Sequence, residues 1–216
     1  GMGGHDGGNL ASALAVSAVS NVINSALEKA DTIDNSALRD AFCAARDVID
    51  AKAETDEKLA QMGTTLVLGA LAPDGELVVA HMGDSRLYRV RNGKLTCLTR
   101  DHNVLGELLS AGILSSEQTA QNQRLGHLLT RALSPGCVPV PDVSRVLAVP
   151  GDMFLLCTDG LHDVVPERAL GKIMHSDLSN QGICDALIDA AIEFGAPDNV
   201  TAVILSVKAT DEAPSK

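Results

Sequence analysis

The chain has 216 residues, enough for one large domain or two small ones. Hydrophobic residues make up 45% of it and charged residues 21%, which excludes an intrinsically disordered chain. Aromatic residues are only 2% and the formal net charge is -11, so we expect neither a base-stacking nucleic-acid module nor a surface that attracts phosphate backbones or anionic membranes. The excess of acidic residues has two interpretations: it serves solubility alone, or some of the carboxylates are grouped to hold cations.

The five cysteines are odd in number and dispersed, so they form neither a zinc motif nor a compact disulfide framework. Most have apolar neighbours, as small core residues do. We identify no signal peptide and no uncharged apolar run of about 18 residues. These features predict a cytoplasmic protein in a reducing compartment.

Two helices are predicted at the N-terminal end of the chain. Over residues 9–31, apolar side chains recur on one stripe of an Ala-rich helix. Asp34, Asn35 and Ser36 then supply cap residues for a second helix over about 36–61. Its predicted buried face consists of Leu38, Ala41, Phe42, Ala45, Val48 and Ile49.

The next segment has the pattern of an antiparallel meander. Turn residues Pro73-Asp74-Gly75 separate its first two apolar runs, and Asn92-Gly93 is a strong signal for a hairpin between its last two. The predicted strands are Leu66–Leu71, Leu77–His81, Arg86–Arg91 and Lys94–Leu98.

Residues 102–135 are less regular, with one short helix predicted to end near Gly112 and another to begin near Ser115. We predict a single domain over residues 1–210 with a frayed tail at 211–216. Helices segregated from antiparallel sheets define the α+β class. The remaining predicted elements are strands over Val143–Val149, Met153–Cys157 and Thr201–Val207 and helices over Pro166–Met174 and Asn180–Phe194.

Three short acidic segments interrupt apolar sequence and are the candidates for chemistry. They contain Asp84, Asp159 and Asp198, each beside Gly or Asn near a predicted strand end. Any one of them alone is most simply a turn residue. Together, carboxylates gathered at strand ends suit hard divalent cations such as Mg²⁺ and Mn²⁺. Because the chain has no Cys/His zinc set and no phosphate-binding P-loop motif, these acids favour hydrolysis by a metal-activated water.

Seven short motifs follow one another along nearly the whole chain, from Gly1 to about Val207. They are Gly1-Met2-Gly3-Gly4-His5, Gly63-Thr64-Thr65, Gly83-Asp84-Ser85-Arg86, Asp101-His102, Leu129-Thr130-Arg131-Ala132-Leu133, Asp159-Gly160 and Asp198-Asn199-Val200-Thr201. No motif is specific alone. Seven in this order and spacing resemble the PPM (type 2C) serine/threonine protein phosphatases, bacterial branch.

The resemblance implies a fold, a cofactor and a mobile segment. The implied fold is a four-layer α-β-β-α sandwich with two central antiparallel sheets flanked by helix pairs. The implied cofactor is Mn²⁺ or Mg²⁺, with two or three ions bound at one edge of the sheets. Residues 102–127 match a flap-like insertion that shapes substrate access.

The resemblance also implies roles for individual residues. Asp159 would bridge two metals, and Asp198 would be a further ligand. Asp101 would hold a third, weaker metal with help from Asp159, and Asp163 would join that third site. His5 matches the general acid that would protonate the leaving serine or threonine oxygen. The implied metal ligands are the main-chain carbonyl of Gly1 and the carboxylates of Asp101, Asp159, Asp163 and Asp198.

The sequence departs from the family pattern at its N-terminus. The family motif is Asp-Gly-Met-Gly-Gly-His, with an Asp that bridges both metals, whereas this sequence starts at the Gly. The start is explained either by a naturally shortened chain or by a reading frame cloned from Met2. We therefore expect the first strand or strands to be lacking and metal binding and activity to be weak. Self-association is expected to cover the open sheet edge.

Two classes of function remain open. In the first, the chain hydrolyses phosphoserine and phosphothreonine in proteins that are substrates of a serine/threonine kinase. In the second, it is a non-catalytic relative, a pseudo-phosphatase that binds a protein partner through the same fold. Asp159 and Asp198 favour the enzyme, and the missing Asp favours the binding module.

Overall fold

The computed structural model describes residues 1–30 and 32–208. Within that part the side chains of Gly4, His5, Asp6, Ser116 and Ala120 are not described. The predicted frayed tail, residues 211–216, lies outside the described residues.

The described residues form six helices and seven strands. The helices are α1 (Gly4–Leu27), α2 (Asn35–Ala53), α3 (Val104–Ser110), α4 (Asp159–His162), α5 (Glu167–Met174) and α6 (Asn180–Glu193). The strands are β1 (Leu66–Leu71), β2 (Glu76–Met82), β3 (Arg86–Arg91), β4 (Lys94–Cys97), β5 (Asp142–Leu147), β6 (Met153–Cys157) and β7 (Ala202–Ser206). Single 3₁₀ turns lie at Glu57–Leu59, Ser116–Gln121 and Gln123–His127.

The described chain divides into two compact units. The first consists of Gly1–Ser85 and Arg100–Val146, and the second of Arg86–Thr99 and the residues from Leu147 onward. The assignment of residues 1–210 to a single domain stays a prediction, as does the flap at 102–127.

The first unit contains a three-stranded sheet in the order β1-β2-β5. β1 and β2 are antiparallel, from the pair Leu66↔Met82 to the pair Leu71↔Leu77. The predicted turn between them forms because the Asp74 side chain accepts a hydrogen bond from the Glu76 N–H at 2.9 Å.

Helices α1 and α2 pack on this sheet to form the core of the first unit. The Asp34 side chain caps α2 by accepting a hydrogen bond from the Ala37 N–H at 2.8 Å. Small alanines at the contact let the two helix backbones approach, and larger apolar side chains fill the space toward the sheet. The buried set includes Ala11, Ala15, Val19 and Ile23 from α1, Leu38, Ala41, Phe42, Ala45 and Ile49 from α2, and Val78, Ala80 and Met82 from β2.

One helix of the described chain is long and apolar enough to cross a membrane by length and composition alone. It covers Gly7–Leu27, an uncharged stretch that departs from the expectation that the sequence holds no such run. The core helix of a water-soluble protein passes the same test, and this helix packs its buried stripe against α2. The finding is therefore weak evidence for a membrane span.

The second unit contains a four-stranded antiparallel sheet in the order β4-β3-β6-β7. Asn92 and Gly93 form the predicted hairpin with φ angles of 50° and 77°, the left-handed conformation that such a turn requires. Helices α5 and α6 cover the sheet with an aliphatic core around the buried Tyr88. That core includes Leu155, Leu161, Leu170, Met174, Ile183 and Leu187.

The structure corrects two of the predicted elements and adds one that was not predicted. The second helix ends at Ala53 rather than near 61, because the Asp56 side chain accepts from the Lys58 N–H at 3.0 Å and starts a separate turn. The helix predicted near Ser115 is a 3₁₀ turn. Asp159 and Gly160 open the short helix α4, which the pattern did not predict. The predicted α+β class, with two antiparallel sheets and helices packed on them, is confirmed.

A bidentate ion pair joins the end of β3 to the residue directly before β6. Arg91 donates from Nε and Nη2 to the two carboxylate oxygens of Asp152, at 2.7 and 2.6 Å, and the Val149 N–H donates to the same carboxylate at 3.0 Å. The Asp152 side chain is fully buried. The hydrogen bonds from Arg91 hold the pKa of Asp152 below its usual value of 3.8.

We expect Arg91→Ala to lower the free energy of unfolding by about 2 kcal/mol at pH 7, because it leaves a buried carboxylate without its cation. Because the pKa of Asp152 is lower in the folded chain than in the unfolded chain, the pair stabilises the fold fully above the unfolded pKa. That contribution is lost as the pH falls through the folded pKa. The deficit of the variant should therefore shrink below about pH 4. Urea unfolding at pH 7 and pH 3 measures both effects. Arg39→Ala, at an exposed position on α2, is the control, and an equal loss there would contradict the prediction.

Candidate functional site

In the second unit, Asp159 and Asp198 lie at the same end of two paired strands. β6 and β7 are antiparallel neighbours, and their last pair at this end is Cys157↔Ala202. Asp159 follows β6 by two residues and Asp198 precedes β7 by four. Strand pairing therefore brings together two carboxylates that are 39 residues apart in sequence, counted from their residue numbers.

Thr158 joins the two loops that carry these acids. Its N–H donates to the Thr201 carbonyl at 3.3 Å, and its Oγ1 accepts from the Thr201 N–H at 3.0 Å. The same hydroxyl donates to the Asn199 carbonyl at 3.4 Å. One side chain and its peptide group thus fix the loop of Asp159 against the loop of Asp198.

Gly160 lies so close to the second loop that only glycine fits there. A Cβ at this position would stand 2.3 Å from the Asn199 carbonyl oxygen and 3.0 Å from its carbon. Because the obstacle is backbone, it cannot rotate away as a flexible side chain would. The Gly in the Asp159-Gly160 motif is explained by this contact.

Each of the two carboxylates uses one oxygen locally. Asp159 Oδ1 accepts from the Gly160 N–H at 2.9 Å, and Asp198 Oδ1 accepts from the Asn199 N–H at 2.7 Å. Within residues 1–30 and 32–208, neither carboxylate has a further hydrogen bond or an ion pair with a cationic side chain. Hard oxygen donors that are oriented but not neutralised fit Mg²⁺ or Mn²⁺.

Asp163 follows one turn after Asp159, at the C-terminal end of α4. Its N–H donates to the Asp159 carbonyl at 2.9 Å, and its Oδ1 lies 3.1 Å from His162 Nδ1. Its side chain is exposed, so it remains accessible to a hydrated cation.

In the first unit, three of the motifs meet through backbone hydrogen bonds. Met2 and Gly63 exchange a pair of bonds at 2.8 and 3.1 Å, and Thr64 and Leu133 exchange a second pair at 2.8 and 2.9 Å. The N-terminal Gly-Met segment is thereby held beside the Gly63-Thr64 and Leu133 segments. Gly1 is exposed.

Asp101 is fixed through the peptide groups on both sides of it. The Arg100 carbonyl accepts from His81 Nε2 at 2.8 Å, and the His102 N–H donates to the Gly83 carbonyl at 3.0 Å. The carbonyl of Asp101 itself packs against Gly106, where a Cβ would come within 2.3 Å of it.

His81 and His102 stack on one another beside Asp142. Their ring centroids are 4.5 Å apart and the rings are inclined by 18°. His102 Nε2 lies 3.3 Å from Asp142 Oδ2, and Arg131 donates to Asp142 Oδ1 at 2.6 Å. Burial would raise the pKa of Asp142, but the hydrogen bond from Arg131 and the neighbouring His102 hold it below its usual value.

The hydrogen bonds define the tautomers of both histidines. Burial lowers the pKa of each ring below 6.5, and the neighbouring His81 lowers that of His102 further, so both are neutral at pH 7. The Gly83 N–H donates to His102 Nδ1 at 3.2 Å, so the proton of this ring is on Nε2, facing Asp142. His81 donates from Nε2 to a carbonyl and carries its proton there.

His81, His102 and Asp142 have ligand atoms within 4.8 Å of one another, close enough to hold a metal ion. Three of the relevant atoms are already engaged, since both Nε2 atoms carry protons and His102 Nδ1 accepts from Gly83. Asp142 also forms ion pairs with two arginines, since Arg131 Nη1 lies 2.6 Å from its Oδ1 and Arg100 Nη2 lies 3.7 Å from its Oδ2. We therefore interpret this cluster as a hydrogen-bonded network rather than a cation site.

An open pocket of about 490 Å³ lies in the first unit beside the Thr130-Arg131 motif. Its walls are mainly apolar, with the Arg131 side chain as the charged group. They include Met2, Met82, Leu129, Cys137, Val138 and Val140.

The sequence-predicted site residues have different outcomes. Asp159 and Asp198 share one end of a sheet, as predicted for ligands from distant sequence. The His5 side chain lies outside the described residues. Sequence reasoning assigned no role to Thr158, His81, His102 and Asp142. The first three lie beside or within the Asp159, Gly83 and Asp101 motifs, which is a signal for them, but nothing in the sequence links Asp142 to these motifs.

Comparison with known proteins finds relatives that match most of the chain. The family model of protein phosphatase 2C matches residues 1–189. The serine/threonine phosphatase stp of Listeria welshimeri is 38% identical over 208 residues, covering 95% of this chain and 81% of the relative. The crystal structure of the Mycobacterium tuberculosis serine/threonine phosphatase PstP/Ppp superposes with a TM-score of 0.85 at 32% identity, covering 96% of this chain and 86% of that one.

A further structure, the catalytic domain of the phosphatase PstP in complex with two manganese ions, superposes with a TM-score of 0.81 at 32% identity. It covers 96% of this chain and 85% of that one. The fold and the carboxylates define a metal-dependent phosphatase class. The chain belongs to the protein phosphatase 2C family of serine/threonine phosphatases.

We expect Gly160→Ala to weaken Mn²⁺ binding by about 10-fold or more, because the added methyl group pushes the Asp159 loop from the Asp198 loop. Isothermal titration with Mn²⁺ measures the affinity. Gly171→Ala, whose Cβ would have only an ordinary contact of 3.9 Å with Leu95, is the matched control on a helix of the same unit. Equal Mn²⁺ affinity in the two variants would refute the role of the contact.

Proposed function

We propose that the chain catalyses Mn²⁺- or Mg²⁺-dependent hydrolysis of phosphoserine and phosphothreonine in proteins. The observation that carries the proposal is the pair of loops that present Asp159 and Asp198 at one end of the second sheet. These acids are oriented by local backbone N–H groups and have no cationic neighbour among the described residues. Membership of the phosphatase family supplies the reaction class.

The acidic residues have distinct proposed roles. Asp159 and Asp198 serve as the principal metal ligands, with the Gly1 carbonyl as a further one. Asp101 and Asp163 serve a third, weaker metal. When bound, such ions activate water and offset negative charge on phosphoryl oxygens.

The chain's own residues orient the ligands and handle the proton of the leaving group. Thr158 and Gly160 keep the Asp159 and Asp198 loops in contact, so the carboxylates need little rearrangement to bind cations. His5 is proposed as the general acid that gives a proton to the departing serine or threonine oxygen.

Phosphorylated proteins, the targets of a serine/threonine kinase, are the proposed substrates, and the cytoplasm is the proposed location. The dispersed free cysteines support a reducing compartment. The acidic surface does not favour nucleic acid or an anionic membrane as a partner. A second copy of the chain is a proposed partner, since β5 and β7 are outer strands with exposed Val143, Leu147 and Val203.

We expect the chain to hydrolyse p-nitrophenyl phosphate in the presence of Mn²⁺. Asp159→Asn should abolish the Mn²⁺-dependent rate, because it removes a proposed metal ligand. Steady-state kinetics at several Mn²⁺ concentrations measures these effects.

Asp185→Asn, an exposed Asp on α6 that accepts a hydrogen bond from Gln181, is the matched control. Equal Mn²⁺-dependent rates in Asp159→Asn and the wild type would contradict the role of Asp159. No Mn²⁺-dependent turnover from the wild-type chain would contradict the enzyme and leave the non-catalytic binding module in its place. Capture of phosphorylated proteins without their hydrolysis would then be the expected behaviour.

Light scattering tests the proposed self-association. We expect the chain to be larger than a monomer of 22.4 kDa at micromolar concentration. Lys in place of Val203 should shift it toward the monomer, because a charge on an exposed sheet edge opposes edge pairing. Lys in place of the exposed Val16 on α1 is the control. A strictly monomeric wild-type chain would refute the proposal.

A further inference from the structure

We propose that His102 is a positioning residue for Asp101, acting through the acceptor nitrogen Nδ1 of its imidazole ring. The inference rests on the proposed function in one respect, that Asp101 serves a metal. The ring is completely buried and lies between the Gly83 turn, the His81 ring and the Asp142 carboxylate.

His102 holds both polar groups of the Gly83 peptide unit. Its own N–H donates to the Gly83 carbonyl at 3.0 Å, and its Nδ1 accepts from the Gly83 N–H at 3.2 Å. Gly83 packs closely against Thr65, since a Cβ there would stand 2.3 Å from Thr65 Cγ2. The reciprocal pair of bonds therefore ties the residue after Asp101 to a tightly packed turn.

The residue before Asp101 is fixed by the other histidine of the stack. His81 Nε2 donates to the Arg100 carbonyl at 2.8 Å, and the His81 ring lies on the His102 ring. The His102 carbonyl also accepts from the Thr130 N–H at 2.9 Å. Asp101 thus lies between two peptide groups that are held by hydrogen bonds, those of Arg100 and His102. The stacked histidine rings determine the distance between these two groups.

Asp142 and Arg131 select the tautomer that this arrangement requires. A ring with its proton on Nδ1 would place two donors, that N–H and the Gly83 N–H, against each other. The carboxylate 3.3 Å from Nε2 favours the proton on that side, and Arg131 keeps the carboxylate charged. Asp142 and Arg131 therefore act on Asp101 through His102, and they do not have to contact Asp101 directly.

Two conservative variants separate positioning from simple core packing. In His102→Asn the side-chain amide oxygen lies where Nδ1 was and can accept from the Gly83 N–H. In His102→Gln the amide nitrogen approaches the place of Nε2, which keeps the contact with Asp142 but leaves the Gly83 N–H without its acceptor. Both replace a buried ring by an amide, so each serves as the stability control for the other.

The experiment measures Mn²⁺ binding by the electron paramagnetic resonance signal of free Mn²⁺, and the backbone and carboxyl resonances of Asp101 by NMR in the metal-free chain. We expect His102→Gln to weaken the weakest Mn²⁺ site by about 10- to 100-fold, as Asp101→Ala does. His102→Asn should stay within about threefold of the wild type. His175→Asn, an exposed histidine at the end of α5, should change neither readout.

In the wild-type chain, the ¹⁵N resonances of His102 should show a protonated Nε2 and an unprotonated Nδ1. A protonated Nδ1 would overturn the proposal. So would a His102→Gln variant with wild-type Asp101 resonances, or equal losses in His102→Asn and His102→Gln that follow their melting temperatures. If Asp101→Ala binds Mn²⁺ like the wild type, the metal role of Asp101 fails, whereas displaced Asp101 resonances in His102→Gln alone still support positioning.

Discussion

Hydrogen bonds between loops that are distant in sequence hold the candidate site residues in place. In the second unit, the N–H and the hydroxyl of Thr158 bind the backbone of Thr201, and this contact holds the loops of Asp159 and Asp198 together. In the first unit, the N–H and the Nδ1 atom of His102 bind the backbone of Gly83 and fix the residue after Asp101. In both units, the residue next to an acid in sequence therefore positions it.

Such close loop contacts depend on glycine. Gly160 meets the carbonyl of Asn199, Gly83 meets Thr65, and Gly106 meets the carbonyl of Asp101, each at a distance that no Cβ tolerates. The glycines of the phosphatase motifs are therefore packing requirements. They let two backbones approach at the points where acids must be presented together.

The two acidic groupings differ in how their charge is compensated. Asp142 is neutralised by Arg131 and Arg100 and contributes to a network of neutral histidines. Asp159 and Asp198 have only backbone N–H partners in the described part of the chain, which leaves their charge for a cation. The net charge of -11 does not distinguish these situations, whereas the neighbours of each carboxylate do.

The family, the α+β class, the β1–β2 and Asn92-Gly93 turns and the candidates Asp159 and Asp198 were all predictable from the amino-acid sequence. They depend on local patterns, in which periodicity and turn chemistry act within a few residues. Three features required the three-dimensional structure: Asp159 opens a helix, Thr158 joins two loops, and Asp142 lies beside the histidine stack. Those features arise from contacts between residues tens of positions apart, which strand pairing and burial determine and which no local pattern encodes.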